Sequence, residues 1–461
     1  MLQLCEEVVP IKQYKKGKPK ILHALRRKKK RVLNRLMALR NKKGNPDYIA
    51  QLETKLALIT YDVREAIDSD LYHRERKIVN KIKTNSKCFY SYAKSHSVIR
   101  SKIAMLISEN GVVTDAEDMA NLLQDQFSSV FSDPSAPGIR SPNFPVPEII
   151  SPMLEEDFII TDEQIVGAIG EVKAGSAAGP DGIPATLIKN CKTSLILPLK
   201  LLWQKSLNEG IVPLYYKISY IAPIYKNGER ARAENYRPVS ITSHIIKLYE
   251  RILRRIIVDY LEVNSVLSKE QHGFRTGRST LTQLFAHFDT VYESLSTGCD
   301  MDCIYLDYSK AFDKVDHRLL LMKLKRIGFN GKLITWIQSF LNGRSQAVVV
   351  DGQHSKSCSI TSGVPQGTVL GPVLFLVFIN DLGDVIKHSH ISYFADDTRL
   401  TKKIKCEEDC KELQTDLQST IRWSFENNMV LNEKKFQLII HRVRSNDVQH
   451  ELPFDGDLYF Y

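Results

Sequence analysis

Nowhere in these 461 residues does an apolar run approach the roughly 20 residues that a membrane-spanning helix needs. The longest, around Gly371 to Ile379, falls far short. A chain outside the membrane is expected. The N-terminus, Met1 to Glu7, lacks a basic stretch followed by an apolar core and a small-residue cleavage site, so no secretory signal is expected. Cysteine is scarce, eight in all. Its closest pairs, Cys299/Cys303 and Cys406/Cys410, have no second Cys or His pair that would complete a zinc-binding spacing. Reduced thiols in a reducing compartment follow. Low hydrophobicity is also missing: with 43% hydrophobic and 25% charged residues, the chain has the means to bury sizeable cores, and disorder is not its default state.

Acidic residues are in short supply at one end only. Residues 1 to 100 hold 25 Lys+Arg against 9 Asp+Glu, a charge of +16, while the other 361 hold 39 against 44. The net +11 therefore belongs to an N-terminal appendage. Its densest part runs from Lys12 to Arg31 and includes Arg26-Arg27-Lys28-Lys29-Lys30-Arg31. Such a run can neutralise phosphates in a salt-dependent, sequence-independent way. A solvated helix face and a nuclear-import patch are the alternative readings.

Leu22, Leu25, Val32, Leu33, Leu36 and Met37 lie among those charges at near-helical spacing and predict a basic amphipathic helix. A second helix is expected to open at Asn45, an N-cap residue type, with Pro46 at its first position. Six prolines from Pro134 to Pro152 cannot continue a helix or a central strand and predict a linker. Thr161-Asp162-Glu163-Gln164 matches a capping box, and Leu195 to Leu207 reads as a helix. Tyr220–Tyr225 and Pro238–Ile241 read as two strands flanking a charged loop from Lys226 to Arg237. Further strands are read at Cys303–Leu306, Ala347–Val350 and Ile391–Ala395, and helices at 316–328 and 371–382. The order fits an α+β fold built on a small antiparallel sheet. The expected divisions are a basic helical region (1–131), a proline-rich linker (132–152), two successive parts at 153–300 and 301–445, and a short tail (446–461).

Two acidic clusters end apolar strands. Asp307 follows Tyr305-Leu306, with Asp313 and Asp316 further on, and Asp396-Asp397 follows Tyr393-Phe394-Ala395. Adjacent aspartates suit a hairpin turn, with Thr398 to Ile404 as the returning strand. If the two strands are neighbours, three carboxylates converge. Like charges held close repel unless a cation lies between them, and Mg2+ takes oxygen ligands from carboxylates, water and phosphates. Two such ions would suit an in-line phosphoryl displacement.

The surrounding segments follow in a characteristic order: Asn235-Tyr236-Arg237-Pro238-Val239-Ser240, then Gln271-His272-Gly273-Phe274-Arg275-Thr276-Gly277-Arg278, the Asp307 strand, Gly363-Val364-Pro365-Gln366-Gly367, and Phe394-Ala395-Asp396-Asp397. From about Thr161 to about Ile440 the chain resembles the reverse transcriptase domain of non-long-terminal-repeat (LINE-type) retrotransposons, particularly the jockey-like group. The resemblance implies a right-hand polymerase, with fingers and the start of the palm at 153–300 and the palm, an antiparallel sheet with packed helices, at 301–445. It implies an RNA-directed DNA polymerase that copies an RNA template from a DNA primer, using dNTPs and two Mg2+ ions, with Mn2+ as a substitute. Asp307, Asp396 and Asp397 match the family's catalytic metal ligands. Phe312 matches its gate against the ribose 2′-hydroxyl, while Lys226 and Arg237 match its contacts to the triphosphate. Gln366 and Gly367, with Gly363 and Pro365, match the second polymerase motif, whose glycines let the backbone approach a base pair. Phe274, Arg275 and Arg278 match a template-binding segment, and Lys435 a proton donor to pyrophosphate, although Phe436 departs from the family's usual small or hydroxyl residue.

The resemblance does not extend to an N-terminal endonuclease or a C-terminal thumb, and a truncated copy is the expectation. Two functions are thus carried forward: a reverse transcriptase, and a non-catalytic nucleic-acid-binding remnant. The implied location is the nucleus or cytoplasm, as a ribonucleoprotein.

Overall fold

The computed structural model describes residues 20–41, 45–81, 103–109, 111–131 and 158–443. The expected linker at 132–152, the tail at 446–461 and the basic residues before Lys20 lie outside them. Residues 1–102 and 103–461 form two separate units. In the first, helices Lys20–Asn41 and Pro46–Lys81 follow one another. Asn45 Oδ1 accepts the Asp47 N–H at 2.9 Å, the expected cap. Leu36, Leu52 and Ile59 are buried while Lys28, Lys30 and Arg31 stay exposed. Met37 is exposed as well, so the apolar stripe is narrower than its spacing suggests.

The expected basic region 1–131 divides at this boundary. Residues 106–128 pack within the second unit, as a hairpin of strands β1 (Leu106–Ser108) and β2 (Gly111–Val113) followed by helix Ala116–Ser128. Its face of Met119, Ala120, Leu123 and Phe127 packs with Ile221 and Val348, so this segment belongs to the second unit.

The remaining strands are β3 (Ile218–Tyr225), β4 (Tyr236–Ile241), β5 (Asp300–Leu306), β6 (Arg344–Val350), β7 (Gln353–His354), β8 (Cys358–Ile360), β9 (His390–Phe394), β10 (Asp397–Ile404) and β11 (Gln437–His441). β3 and β4 are the two strands read from the sequence, and they pair antiparallel, with Pro223 opposite Pro238. Both prolines are tolerated because β4 is an edge and β6 pairs, in parallel, only with residues 218–221 of β3. That parallel pairing makes this sheet mixed, which the sequence pattern did not reveal.

The second sheet is antiparallel throughout, in the order β11-β5-β10-β9. β5 is central and nearly all buried, with Met301 and Cys303 packing beside Val291 of helix Thr280–Ser296, and Ile304 and Leu306 joining the main core. Helix Gly371–Ile379 runs through that core with every residue except Pro372 buried. The side chain of Glu250, on helix His244–Val263, reaches its start and accepts the N–H groups of Val369 (2.7 Å) and Leu370 (3.0 Å). A carboxylate there satisfies donors that a helix start leaves open and sits at the favourable end of the dipole. The fold is α+β, as expected.

Candidate active site

β5 delivers Asp307 at its end. Leu306 stands opposite Thr398 in β10, so one further step of the register sets Asp397 opposite Asp307. Directly opposed residues have Cβ atoms about 5 Å apart. Phe394 and Asp397 close the β9–β10 hairpin, leaving Ala395 and Asp396 as its two central residues. The three carboxylates meet at one end of the sheet, as the sequence suggested if these strands were neighbours.

The turn differs in detail from the expectation. Asp397 opens a strand, and the left-handed conformation falls on Ala395 (φ 59°) rather than on an aspartate. The reason is a neighbouring segment. Gln271 Oε1 accepts the Ala395 N–H at 2.9 Å, and Gln271 Nε2 donates to the Ala395 carbonyl at 3.4 Å. His272 N–H donates to the Tyr393 carbonyl and Tyr393 N–H to Glu270, so residues 270–272 run beside β9. A Cβ on Gly273 would strike the Ala395 backbone nitrogen, which is why glycine stands there. Gln271 opens one of the segments that carry the resemblance but has no role assigned from the sequence; an amide two residues before a glycine does not disclose that it holds the turn.

A cleft of about 720 Å³ opens over the carboxylates, lined among others by Lys226, Arg237, Phe274, Phe312, Gln366, Gly367, Asn432 and Lys435. Lys435 Nζ lies 2.8 Å from Asp307 Oδ2, and Asn432 Nδ2 donates to the same oxygen at 3.3 Å. Burial, first, and then the charge of its carboxylate neighbours raise Asp396, and burial with the charge of Asp307 raises Asp397. Burial, then the nearby Arg237 and Lys435 charges, lower Lys226. The acidic floor is thus short of positive charge despite Lys435. An all-oxygen donor set in that condition fits a hard divalent cation.

Phe312 lies in the short helix Ala311–Lys314. It stacks on Phe375 (4.2 Å, 16°) and meets Phe274 edge-on (6.0 Å), so it is at once a core residue and part of the cleft wall. Phe274 is 45% exposed, with φ 56°.

Other expected site residues occupy structural contacts. Arg275 forms a two-pronged pair with Glu262 (3.0 and 2.6 Å) and donates to the Ser268 carbonyl at 2.6 Å; Arg278 approaches His272 at 3.3 Å. Among the described residues, neither belongs to the lining of this cleft. The two motif glycines approach protein backbone. A Cβ on Gly363 (φ 85°) would lie 2.8 Å from Asp313, and one on Gly367 (φ 110°) 2.5 Å from the Ser240 carbonyl. Pro365 and Gln366 stand between these anchors, and Gln366 accepts the Ser240 N–H at 2.7 Å through its carbonyl. Asp316 is a helix cap, accepting the Arg318 and Leu319 N–H groups. Phe127, in the 1–131 stretch expected as a basic helical region, lines the cleft too.

A family profile described as "Reverse transcriptase (RNA-dependent DNA polymerase)" matches residues 224–454. The chain is 29% identical over 265 residues to the "Probable RNA-directed DNA polymerase from transposon X-element" of Drosophila melanogaster, covering 56% of this chain and 29% of that protein. It is 30% identical over 289 residues to the "RNA-directed DNA polymerase from mobile element jockey" of the same species, covering 60% and 31%. To the "Transposon TX1 uncharacterized 149 kDa protein" of Xenopus laevis it is 22% identical over 425 residues, covering 86% and 32%. The chain thus spans under a third of the length of each of these relatives. No helix among the described residues is long and apolar enough to cross a membrane.

Proposed function

The chain belongs to the reverse transcriptase (RNA-dependent DNA polymerase) family, and from that premise we propose that it is the polymerase of a jockey-like non-long-terminal-repeat retrotransposon, adding dNTPs to a primer 3′-hydroxyl on an RNA template. The observation that carries this reading is the convergence of Asp307, Asp396 and Asp397 on the floor of a cleft walled by Lys226 and Arg237. In this reading β3 and β4 are the fingers hairpin and the antiparallel sheet is the palm.

The reverse transcriptase family uses divalent metal ions; here Asp307, Asp396 and Asp397 would hold two Mg2+, with Mn2+ as a substitute. When bound, the ions supply activation of the primer hydroxyl and neutralise charge on the phosphates. The remaining chemistry is the chain's own. Arg237, always charged and able to bind bidentately, and Lys226, a point charge whose proton is loosened by its surroundings, meet the triphosphate from the cleft wall. Lys435 now rests on Asp307. In this reading the Lys435 ammonium is the proton donor to the leaving pyrophosphate. The Phe312 ring is fixed by Phe375, so it can bar a 2′-hydroxyl by steric contact alone. Pro365 and Gln366 face the nascent base pair from a loop pinned at Gly363 and Gly367, while Phe274 offers a stacking surface for the template.

Primer extension on a primed RNA template tests this. Mg2+-dependent incorporation of dNTPs in preference to rNTPs is expected, falling about 10³-fold or more in Asp307→Asn and Asp397→Asn. Folded protein that binds the RNA but adds no nucleotide would instead support the binding remnant.

A further inference from the structure

Three potential metal ligands meet away from the acidic floor. His287 projects from helix Thr280–Ser296, Cys303 from the centre of β5, and His441 from the end of the edge strand β11; their ligand atoms all lie within 4.8 Å of one another. We propose that His287, Cys303 and His441 form a zinc site that ties this helix to the sheet.

The register explains the meeting. β11 sets Ile439 opposite Cys303 and His441 opposite Met301, so His441 and Cys303 share a sheet face as diagonal neighbours. Helix Thr280–Ser296 covers that same face through Val291 and brings His287 down onto it. The residue types are those zinc prefers: two imidazoles and a thiolate. Tetrahedral geometry with those ligands spaces the donor atoms about 3.3–3.6 Å apart, within reach of small side-chain rotations from the observed arrangement.

A second observation points the same way. His287 is 6% exposed and Cys303 is fully buried. His287 Nδ1 and His441 Nε2 are both buried without a hydrogen-bond partner. A buried polar atom with no partner costs free energy, and two such nitrogens beside a buried thiol are accounted for together by one cation. Binding exchanges the thiol proton for the metal: the S–H bond breaks, the proton leaves to solvent, and the sulfur pair becomes the metal bond. Arg399 shares this face, with its guanidinium 5.6 Å from the centre of the Tyr305 ring. The thiolate charge offsets its repulsion of the ion. Three protein ligands leave the fourth position to water, on the half-buried His441 side.

This site is distinct from the acidic one. Cys303, Tyr305 and Asp307 alternate along one face of β5 and its end, and four residue steps along the strand place Cys303 about 13 Å from Asp307. It also has a consequence there. β11 follows directly on the loop carrying Asn432 and Lys435, so zinc at His441 anchors the strand next to the groups that touch Asp307. Cysteine spacing does not disclose this site, because its ligands come from three elements with no motif between them.

The test uses the full purified chain, titrated with Co2+ as a spectroscopic stand-in for Zn2+ in the presence of excess Mg2+, which occupies oxygen sites. A thiolate-to-cobalt charge-transfer band saturating at one equivalent is expected, and Zn2+ should abolish it. Cys303→Ser should lose the band, and His441→Asn, on the edge strand, should weaken binding by about 100-fold or more. Wild-type protein that is folded by circular dichroism yet shows no band overturns the proposal. So does a band unchanged in His441→Asn, which assigns it to other cysteines; that variant decides the matter should Cys303→Ser not fold.

Discussion

Ala395 adopts φ 59°, a conformation that costs a residue with a Cβ about 1–2 kcal/mol. Two hydrogen bonds, one accepted and one donated by the Gln271 amide, hold it there and so aim Asp396, which makes Gln271 a positioning residue for the acidic floor. Asp313 shows another cost of proximity. It lines the cleft and a smaller cavity behind it, and burial raises its carboxyl to about 6. An unfolded Asp titrates near 3.9. Between about pH 4 and 6 the folded state keeps a proton that the unfolded state has released, so this residue's contribution to stability falls as pH rises through that window. Urea denaturation of wild type and Asp313→Asn across pH 4 to 8 should show the difference between them growing up to about pH 6 and then levelling off. A difference independent of pH would refute the assignment.

At the scale of elements, helix Gly371–Ile379 and the carboxylate at its start decide how the core closes. Glu250 is fully buried, and burial raises its pKa. Arg344, fully buried too, donates to the Phe340 carbonyl and the Ser219 hydroxyl, and is lowered to about 10 by burial despite the charge of Glu250. Glu250→Ala removes the acceptor of two backbone N–H groups and leaves the Arg344 charge uncompensated. A loss of about 3–5 kcal/mol in urea denaturation is expected, with Glu250→Gln, which keeps an acceptor, costing clearly less. The helix itself was legible as an apolar run after Gly371-Pro372, and the capping box at Thr161 is present with both of its hydrogen bonds. Glu250 was not legible. It sits in an amphipathic helix like many solvated glutamates, and its partner lies more than a hundred residues away.

For the whole molecule, the raised Asp396 and Asp397 mean that folding buries these carboxylates and, beyond that, gathers negative charge it would otherwise disperse. A divalent ion that binds only the folded chain relieves this and stabilises by mass action. At a tenfold excess over its dissociation constant, Mg2+ should add about 1.4 kcal/mol, read as a rise in melting temperature. Asp307→Asn/Asp396→Asn should melt higher than wild type without Mg2+ and gain little from it. An equal Mg2+ shift in wild type and variant would dissociate the ion from these carboxylates.

What the sequence determined by itself is part of the set of strands and helices, among them β3, β4, β5, β6, β9, β10 and helix Gly371–Ile379 but not β1, β2, β11 or helix Thr280–Ser296, because alternation, caps and prolines act over a few residues. It also named Asp307, Asp396, Asp397, Lys226, Arg237, Lys435, Phe274 and Phe312, which line the cleft, though not Phe127, because charge and shape are properties of single side chains. What only the tertiary structure decided is how those groups are employed. Arg275 pairs with Glu262, the glycines of the Gly363–Gly367 loop accommodate protein backbone, Gln271 holds the turn, and His287, Cys303 and His441 converge. Each depends on a register or packing contact between distant segments, which is set by burying one shared core and leaves no periodic trace in the chain.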